Sequence, residues 1–436
     1  MNKTLNLSIA LLLSTNAMAM TQIEFVDRLK NTHPFFTQQG LEKQSSQLDY
    51  VASTANQDWV LGSSIDSENK LNTQISSGSI SATHKMVDSG ADVSISKSWS
   101  DISSKTTALT SDKFLVNYTL PLLKNVNGVN DRLLTDLSSI KTNITSLKLE
   151  QSEEAFVLAQ LFKLVDLSHA QQQFSLTSSR LELAEQELKL VKDKFSQSVV
   201  DKVDVLLQED AYQRAYQKHL QAEQDLDLLK QELAITLDMP AQSMSSEFDL
   251  YQLYQSNLGN LRKHLQVNTT EMKVAKLEQE LLTRQLKSDK NNTELKLDLN
   301  LGAGRDIDDI WNVGLGLSYP LGNTKAKSAL GKTQIELTKA KENTAELLLK
   351  LTIQASVLDK KVDHLAKLLN SYQARIEIAK SRAQEEKRRY ELGNSPVSFV
   401  ISAQNNVQEV RSSYAQEALK YQKSVLEFQA AVDQLL

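Results

Sequence analysis

Residues 293–303 read TELKLDLNLGA, and residues 310–319 read IWNVGLGLSY. In both segments apolar residues alternate with polar or small ones, which is the period of a β-strand with two unlike faces. Each segment is about ten residues long, the length of a tilted strand that crosses a membrane. We predict a hairpin whose leucine face contacts lipid, although a hairpin on a soluble core would alternate identically. The polar face of the first segment carries the candidate lumen residues Glu294, Lys296, Asp298 and Asn300.

A second β region is predicted at about 58–120. Residues 114–120 alternate like residues 311–319, and the segment around Trp59, Leu61 and Ile65 is its predicted partner. Two further strand-like segments, 75–83 and 93–99, flank a turn near residues 88–90, so we predict an elongated or doubled hairpin.

Four principal strands per chain are too few for a closed wall, because the smallest transmembrane barrels have about eight. An open edge in lipid would leave backbone groups unsatisfied. If these strands lie in a membrane, at least two chains must pool them, and this arithmetic does not choose between two and three.

Long helical segments separate the β regions. A strict three-and-four spacing of apolar residues over many turns predicts a left-handed coiled coil. The first half shows this spacing from Ala170 to Phe195, and the final helix shows it from Val400 to Leu435. The clearest series is Leu348, Leu351, Ala355, Leu358, Val362, Leu365, Leu369, Tyr372, Ile376, Ala379 and Ala383.

The sequence contains an internal repeat. Pro121 and Pro320 follow equivalent strands, and the break after Phe195 matches the break after Tyr390. We predict a first repeat at 20–240, with an opening helix at about 21–56, the β region at 58–120, a long helix at about 126–195 and a return helix at about 203–237. The second repeat, 241–436, has a helix, a hairpin at 293–320, a long helix at about 325–390 and a return helix at about 398–435.

The N-terminal segment Met1–Ala19 predicts a secretory signal peptide. It has a basic Lys3, an apolar core at residues 5–13 and an A-x-A site at residues 17–19. We expect the mature chain to start at Met20 and to be exported.

Composition argues against several classes of function. The net charge of −5 is not that of a nucleic-acid binder, and the absence of cysteine excludes disulfides and thiolate metal sites. The six histidines are scattered, and the sequence contains no nucleophile elbow or dinucleotide loop. We therefore expect no catalysis, no cofactor, no metal and no nucleic-acid partner.

Several motifs, in this order along the chain, resemble the TolC-like outer-membrane efflux protein family. The most specific is RYELGNS at 389–395, which leads to Val400 and Ala403 and matches the family's turn between its long and return helices. Residues 194–206 match the same turn in the first repeat. Weaker matches are TLPLL at 119–123, Thr32-His33-Pro34 in the opening helix and Leu237 with Pro240 at a helix end.

This resemblance implies a mainly α fold with β: long coiled-coil hairpins in two repeats, with β-hairpins pooled into a 12-stranded transmembrane barrel in a homotrimer. It implies a passive exit duct in the outer membrane of a Gram-negative bacterium, with a periplasmic tunnel, for drug efflux or type I secretion. The implied partners are a periplasmic adaptor, an inner-membrane transporter and outer-membrane lipid.

The two turns between long and return helices are the candidate periplasmic tip and gate. Ser198 stands where the second turn has Gly393, which predicts a different backbone conformation there. Family members often carry gating carboxylates on the second turn, but this chain has Phe399 and Ser402 at those positions. The remaining candidates at the tip are Asp201, Asp204, Arg389, Tyr390 and Pro396.

Asp201 and Asp204 could form a carboxylate ring in a trimer, but acidic residues also favour the first turn of any helix. The charged run at residues 385–389 either holds the tip closed, meets an adaptor, or is simply a solvated helix face. A soluble periplasmic coiled-coil scaffold or adaptor is the alternative function.

Overall fold

A computed structural model describes residues 20–70, 73–104, 108–255 and 259–435 of the chain. The predicted signal peptide lies outside these residues. The described chain is mainly helical, with one antiparallel sheet. Its helices are α1 (Gln22–Thr32), α2 (Pro34–Ala52), α3 (Leu133–Ser196), α4 (Lys202–Thr236), α5 (Leu261–Asn268), α6 (Thr270–Asn292), α7 (Thr324–Glu391) and α8 (Val397–Ala431). Its strands are β1 (Val60–Lys70), β2 (Thr73–Met86), β3 (Ala91–Ser104), β4 (Ala108–Pro121), β5 (Lys296–Arg305) and β6 (Asp309–Ser318).

The chain divides into two compact units. The first contains the described residues of Met1–Gln38, Gln151–Leu265 and Lys350–Leu436. The second contains Gln39–Glu150 and Gln266–Leu349, and all six strands lie in it.

The sheet of the second unit corrects the predicted strand count from four to six. Its order is β1-β2-β3-β4-β5-β6, and every pair is antiparallel. The first β region is therefore a doubled hairpin. The strand that begins at Val60 pairs with β2, not with β4 as predicted, because β3 and β5 occupy the two edges of β4.

The opening helix, predicted as one element at about 21–56, is two helices. α1 begins with a capping box in which Thr21 and Glu24 exchange side-chain and backbone hydrogen bonds. It ends at His33, whose extended backbone (φ −80°, ψ 129°) is the conformation that a following proline imposes. Pro34 then begins α2, where a missing N–H costs nothing.

The helices of the first unit pack along the predicted heptad positions. Ile376 and Ala379 of α7 are buried against Val410 of α8, flanked by Tyr372 and Tyr414. On α3, Ala184 and Val191 are buried in the same periodic pattern. Apolar burial along these seams holds the long helices together.

The second unit has a helical core below its sheet. Ile140 and Ile144 of α3 pack against Val274 of α6. A satisfied polar cluster lies nearer the sheet, where the buried Thr333 hydroxyl donates to Asp289 at 2.7 Å and Ser288 donates to Asn130 at 2.7 Å. Among the described residues, no helix combines the length and apolar character needed to cross a bilayer.

The segment between α4 and α5 packs on α8 in the first unit. The Gln422 amide donates to the carbonyls of Asp249, Leu250 and Gln252. The Tyr251 and Tyr414 rings stack with centroids 4.6 Å apart. Burial, then the neighbouring Tyr414 and Asp249, raises the pKa of Tyr251 to about 12.

This shift predicts a loss of stability in alkali. Between about pH 10 and pH 12 the unfolded chain ionises Tyr251 while the folded chain keeps it neutral, so the free energy of unfolding falls as the pH rises. We expect Tyr251→Phe to lose less stability than the wild type across this window, measured by urea unfolding at pH 9.5 and 11.5. Tyr50→Phe, at an exposed position of α2, is the control; equal slopes for both variants would contradict the assignment.

Candidate functional site

The two faces of the sheet have opposite chemistry, and the register of the strands shows it directly. One row of cross-strand neighbours is apolar in every strand: Leu61, Ala82, Ile95, Val116, Ala303 and Trp311. The adjacent row, on the opposite face, is Val60, Thr83, Ser94, Asn117, Gly302 and Asn312. At this level of the sheet an apolar face and a mainly polar face therefore cross all six strands; further along the apolar face, Lys97 of β3 pairs with Asp112 of β4 at 3.3 Å.

The apolar face is open. Leu61, Ile65 and Leu315 are exposed over 78%, 85% and 69% of their surface. Soluble proteins rarely expose a continuous apolar face of this extent.

All three tryptophans of the chain belong to this apolar face. Trp311 lies on β6, and Trp99 lies on β3 opposite Gly78, where any side chain would collide with the indole ring. Trp59 immediately precedes β1 and stacks on His84 with ring centroids 4.9 Å apart. Tryptophans near strand ends are typical of the girdles at membrane interfaces.

The opposite face is lined mainly by hydroxyl and amide groups. Ser64 and Ser79 share a hydrogen bond of 3.0 Å, and Asn117 donates to Ser94 at 3.4 Å. Gly302 has no side chain at the point where the Asn117 and Asn312 amides approach it. This surface is suited to water and polar solutes.

Three of the four candidate lumen residues lie on β5. Lys296 and Asp298 form an ion pair of 3.0 Å, and the Asn300 side chain accepts a hydrogen bond from Thr119 at 3.0 Å. Glu294 precedes the strand and lies in the turn after α6, where it accepts a hydrogen bond from Asn291. Of the four, only Glu294 is therefore off the strand face.

The two turns between long and return helices have the same hydrogen bonds at an offset of 195 residues. Ser198 N–H donates to Phe195 and Val199 N–H to Lys194, each at 2.9 Å. Gly393 N–H donates to Tyr390 at 3.0 Å and Asn394 N–H to Arg389 at 2.9 Å. α4 and α8 begin at the same offset, and both contain 35 residues.

The different backbone conformation predicted for Ser198 is not found. Ser198 has φ of 56° and Gly393 has φ of 74°, so both occupy the left-handed region. A serine accepts this conformation because the two helix-end hydrogen bonds of the turn require it.

Tyr390 joins the ends of α3 and α7. The Lys194 ammonium lies 4.2 Å from the centre of the Tyr390 ring, a cation–π contact. Burial, then the charge of Asp204, raises the pKa of Tyr390 above its usual value. Its hydroxyl is buried and has no hydrogen-bond partner in the described chain. Lys194, Asp204 and Tyr390 are thus brought together at the tip.

The other tip candidates make local contacts. Arg389 lies 3.8 Å from Glu386, which also accepts a hydrogen bond from Ser395 at 3.2 Å. In the same run Arg388 pairs with Glu385 at 2.8 Å. Asp201 and Pro396 are the N-cap residues of α4 and α8, and neither makes a side-chain cap bond. Phe399 is 54% exposed and Ser402 is exposed.

A buried polar cluster, which the sequence did not lead us to predict, lies further along these helices. Glu187 of α3 accepts hydrogen bonds from Gln208 of α4 and from Gln404 of α8, and it pairs with the buried Arg180 at 3.5 Å. Arg180 also donates to Asn405 at 3.3 Å. The signal in the sequence was a glutamine inside the apolar seam of each return helix. The cluster ties one long helix to both return helices.

The described residues contain no group of three or more metal-ligating side chains close enough to hold a metal ion.

The left-handed serine predicts a stabilising substitution. Ser198→Gly should raise the free energy of unfolding by about 1 kcal/mol, because glycine adopts a positive φ without strain. Ser179→Gly is the control, since the same change at an exposed helical position should lower it by about 0.5–1 kcal/mol. Urea unfolding followed by circular dichroism measures both; a loss of stability in Ser198→Gly would contradict the argument.

The buried cluster predicts a larger effect. Glu187→Ala leaves the Arg180 charge buried without its carboxylate, so the free energy of unfolding should fall by about 3–5 kcal/mol. Glu185→Ala, two residues away at an exposed position of α3, should change it by less than about 0.5 kcal/mol. Equal effects of the two variants in the same urea titration would show that the cluster does not hold the helices.

No protein-family model matches this chain, and no curated protein matches it by sequence. Solved structures do match it. CusC, described for its folding and transmembrane channel formation, has 10% identity and a TM-score of 0.71, with 95% of this chain and 92% of CusC covered. The outer membrane protein VceC of Vibrio cholerae has 10% identity and a TM-score of 0.67, covering 94% and 95%.

The outer membrane channel CmeC of Campylobacter jejuni has 11% identity and a TM-score of 0.66, covering 95% of this chain and 86% of CmeC. At these identities the similarity establishes the fold. It confirms the coarse fold that the sequence resemblance implied, mainly α with β: the chain has the fold of these solved outer-membrane channels.

Proposed function

We propose that this chain is an exit duct in the outer membrane of a Gram-negative bacterium. The observation that carries the proposal is the apolar row from Leu61 to Trp311, which crosses all six strands and is backed by a polar row on the other face. Transmembrane β-walls need one face for lipid and one for water. The fold shared with solved outer-membrane channels supports the same conclusion.

The duct is proposed to be a homotrimer with a pooled barrel and a helical periplasmic tunnel. Six strands do not close a barrel in one chain, and open edges in hydrocarbon leave backbone groups unsatisfied. Copies must therefore complete the wall. The resemblance implied twelve strands in the trimer, in agreement with four predicted strands per chain, whereas the sheet of one chain has six.

Transport through the duct is proposed to be passive. Solute moves along the hydroxyl and amide lining, past Lys296, Asp298 and Asn300, and down a gradient that an inner-membrane transporter sets. A periplasmic adaptor joins the two. Either drug efflux or type I secretion fits this role, and the chain itself performs no chemical step.

Opening is proposed to occur at the tip, by outward movement of the return helices α4 and α8. The contact of Lys194 with Tyr390 and the cluster around Glu187 both hold long helices in place. Opening must therefore either weaken these contacts or move the contacting helices together. Asp201 and Asp204 remain candidates for a carboxylate ring in the trimer, while Phe399 and Ser402 bring no charge to it.

The alternative, a soluble periplasmic coiled-coil scaffold, explains the helices as well as the duct does. It gives no reason for a sheet face on which Ile65 is 85% exposed. Membrane fractionation separates the two: the duct requires detergent for extraction, and the scaffold does not.

A pair of arginine substitutions on β6 tests the membrane assignment. Leu315→Arg places a charge on the apolar face and should cost about 2–4 kcal/mol of stability in lipid vesicles. Asn312→Arg places the same charge on the polar face of the same strand and should cost much less. Urea unfolding from vesicles measures both; equal costs would contradict a lipid-facing leucine row.

A further inference from the structure

We infer that each copy of the chain contributes its whole six-stranded sheet to the wall, with β1 of one copy pairing with β6 of the next. The trimeric duct proposed above, on which this inference rests, then has an eighteen-stranded barrel. The partner that the free edges of the sheet fit is thus a second copy of this chain.

The first hairpin, β1 with β2, is an integral part of the sheet. β2 pairs with β3 over fourteen consecutive positions, from Thr73 opposite Ser104 to Met86 opposite Ala91. β1 pairs with β2 over eleven more, with no break in register. The apolar and polar rows also continue through both strands. A hairpin that stood outside the wall would have no need of this continuity.

The turn between β2 and β3 is fixed by its surroundings. A side chain on Gly128 would collide with the Val87 carbonyl, and one on Gly90 would collide with the backbone of Asn125. Lys85 forms ion pairs with Asp92 at 2.8 Å and Asp131 at 3.6 Å across the same turn. The turn that joins the first hairpin to β3 is therefore anchored to the segment that leads into α3.

The free edges of the sheet lack most of the usual protection. Soluble proteins protect edge strands with proline, charges or bulges. β1 and β6 contain no proline, the registers of both are uninterrupted, and their charges are confined to Asp66, Glu68 and Lys70 at the end of β1 and Asp309 at the start of β6. Such edges are suited to pairing with another strand.

The geometry of the two edges is compatible with pairing. β1 contains eleven residues and β6 contains ten. Because the six strands alternate in direction, β1 and β6 run antiparallel to each other. Placing β6 of one copy beside β1 of the next therefore continues the antiparallel alternation around a closed wall with an even number of strands.

The larger number of strands bears on the size of the solute that the duct can pass. Barrel diameter grows roughly linearly with strand number, so eighteen strands give a wall about 1.5-fold wider than twelve, and barrels of sixteen to eighteen strands enclose an aqueous channel. Beside its serine, threonine and asparagine residues, the polar face carries charged residues of both signs, among them Asp66, Lys296 and Asp298. We therefore assign the duct a bulky polar cargo.

Disulfide trapping tests the seam, because the chain has no cysteine of its own. Ser64→Cys on β1 is combined with Asn312→Cys, Gly314→Cys or Gly316→Cys on β6, three positions that cover the unknown register between copies. Within one chain β1 and β6 are five strand spacings apart, about 24 Å, too far for a disulfide. Oxidation in native membranes should therefore give a ladder of linked chains that ends at the trimer.

The matched control moves the first cysteine to β3. Ser96→Cys faces the same side as Ser64, but β3 has a partner strand on each edge, so no link to β6 should form. Links from Ser96 would mean that the wall closes through β3 with four strands per copy, which overturns the inference and leaves the duct intact.

Two other results also overturn the inference. If neither series links while the protein is extracted as an intact oligomer, the β1–β6 seam is absent. If the Ser64 ladder ends at the dimer, the wall has twelve strands rather than eighteen. A water-soluble monomer would instead refute the proposed duct, and the inference with it.

Discussion

Backbone N–H and C=O groups have no water to bond within hydrocarbon, and each unsatisfied group costs several kcal/mol. In the proposed duct this constraint governs the sheet, its edges and the number of copies. One sheet face must be apolar, and the free edges of β1 and β6 must be paired. The apolar row from Leu61 to Trp311 meets the first requirement within one chain. Only further copies of the chain can meet the second.

The long helices are held together by side-chain burial and buried polar contacts rather than by backbone pairing. Apolar heptad seams such as Ile376 and Ala379 against Val410 hold the long and return helices together through burial. Glu187 and Arg180 interrupt that pattern with charges that are stable only while their partners on α4 and α8 stay in place. Polar groups of this kind are costly to separate and so favour one arrangement of the helices over others. A duct that opens by helix movement must change these contacts in addition to those at its tip.

Much of the fold could be predicted from the sequence. The hairpin predicted at 293–303 and 311–319 is found at Lys296–Arg305 and Asp309–Ser318, because apolar residues at every second position leave no other period. The long helices could be predicted because they lack proline and repeat apolar residues at heptad spacing. The first β region was harder, since β2 and β3 place serine at many positions and alternate only weakly. The strand count was therefore two too low.

The candidate site was predictable only in part. The offset of 195 residues located both tip turns, but the left-handed φ of Ser198 follows from helix-end hydrogen bonds that composition does not show. The contact of Lys194 with Tyr390 joins residues almost 200 positions apart. Gln208 and Gln404 were visible as polar interruptions of a seam, but nothing in their local sequence indicates that both bind Glu187.

In the proposed duct one face of the sheet contacts lipid chains, and the native tryptophans report on this contact without any substitution. Trp59, Trp99 and Trp311 are the only tryptophans in the chain, and all three belong to the apolar face. Intrinsic fluorescence of the protein in vesicles of brominated phospholipid should be strongly quenched relative to unbrominated vesicles. Fluorescence that is insensitive to bromination but fully quenched by a water-soluble quencher would contradict the account.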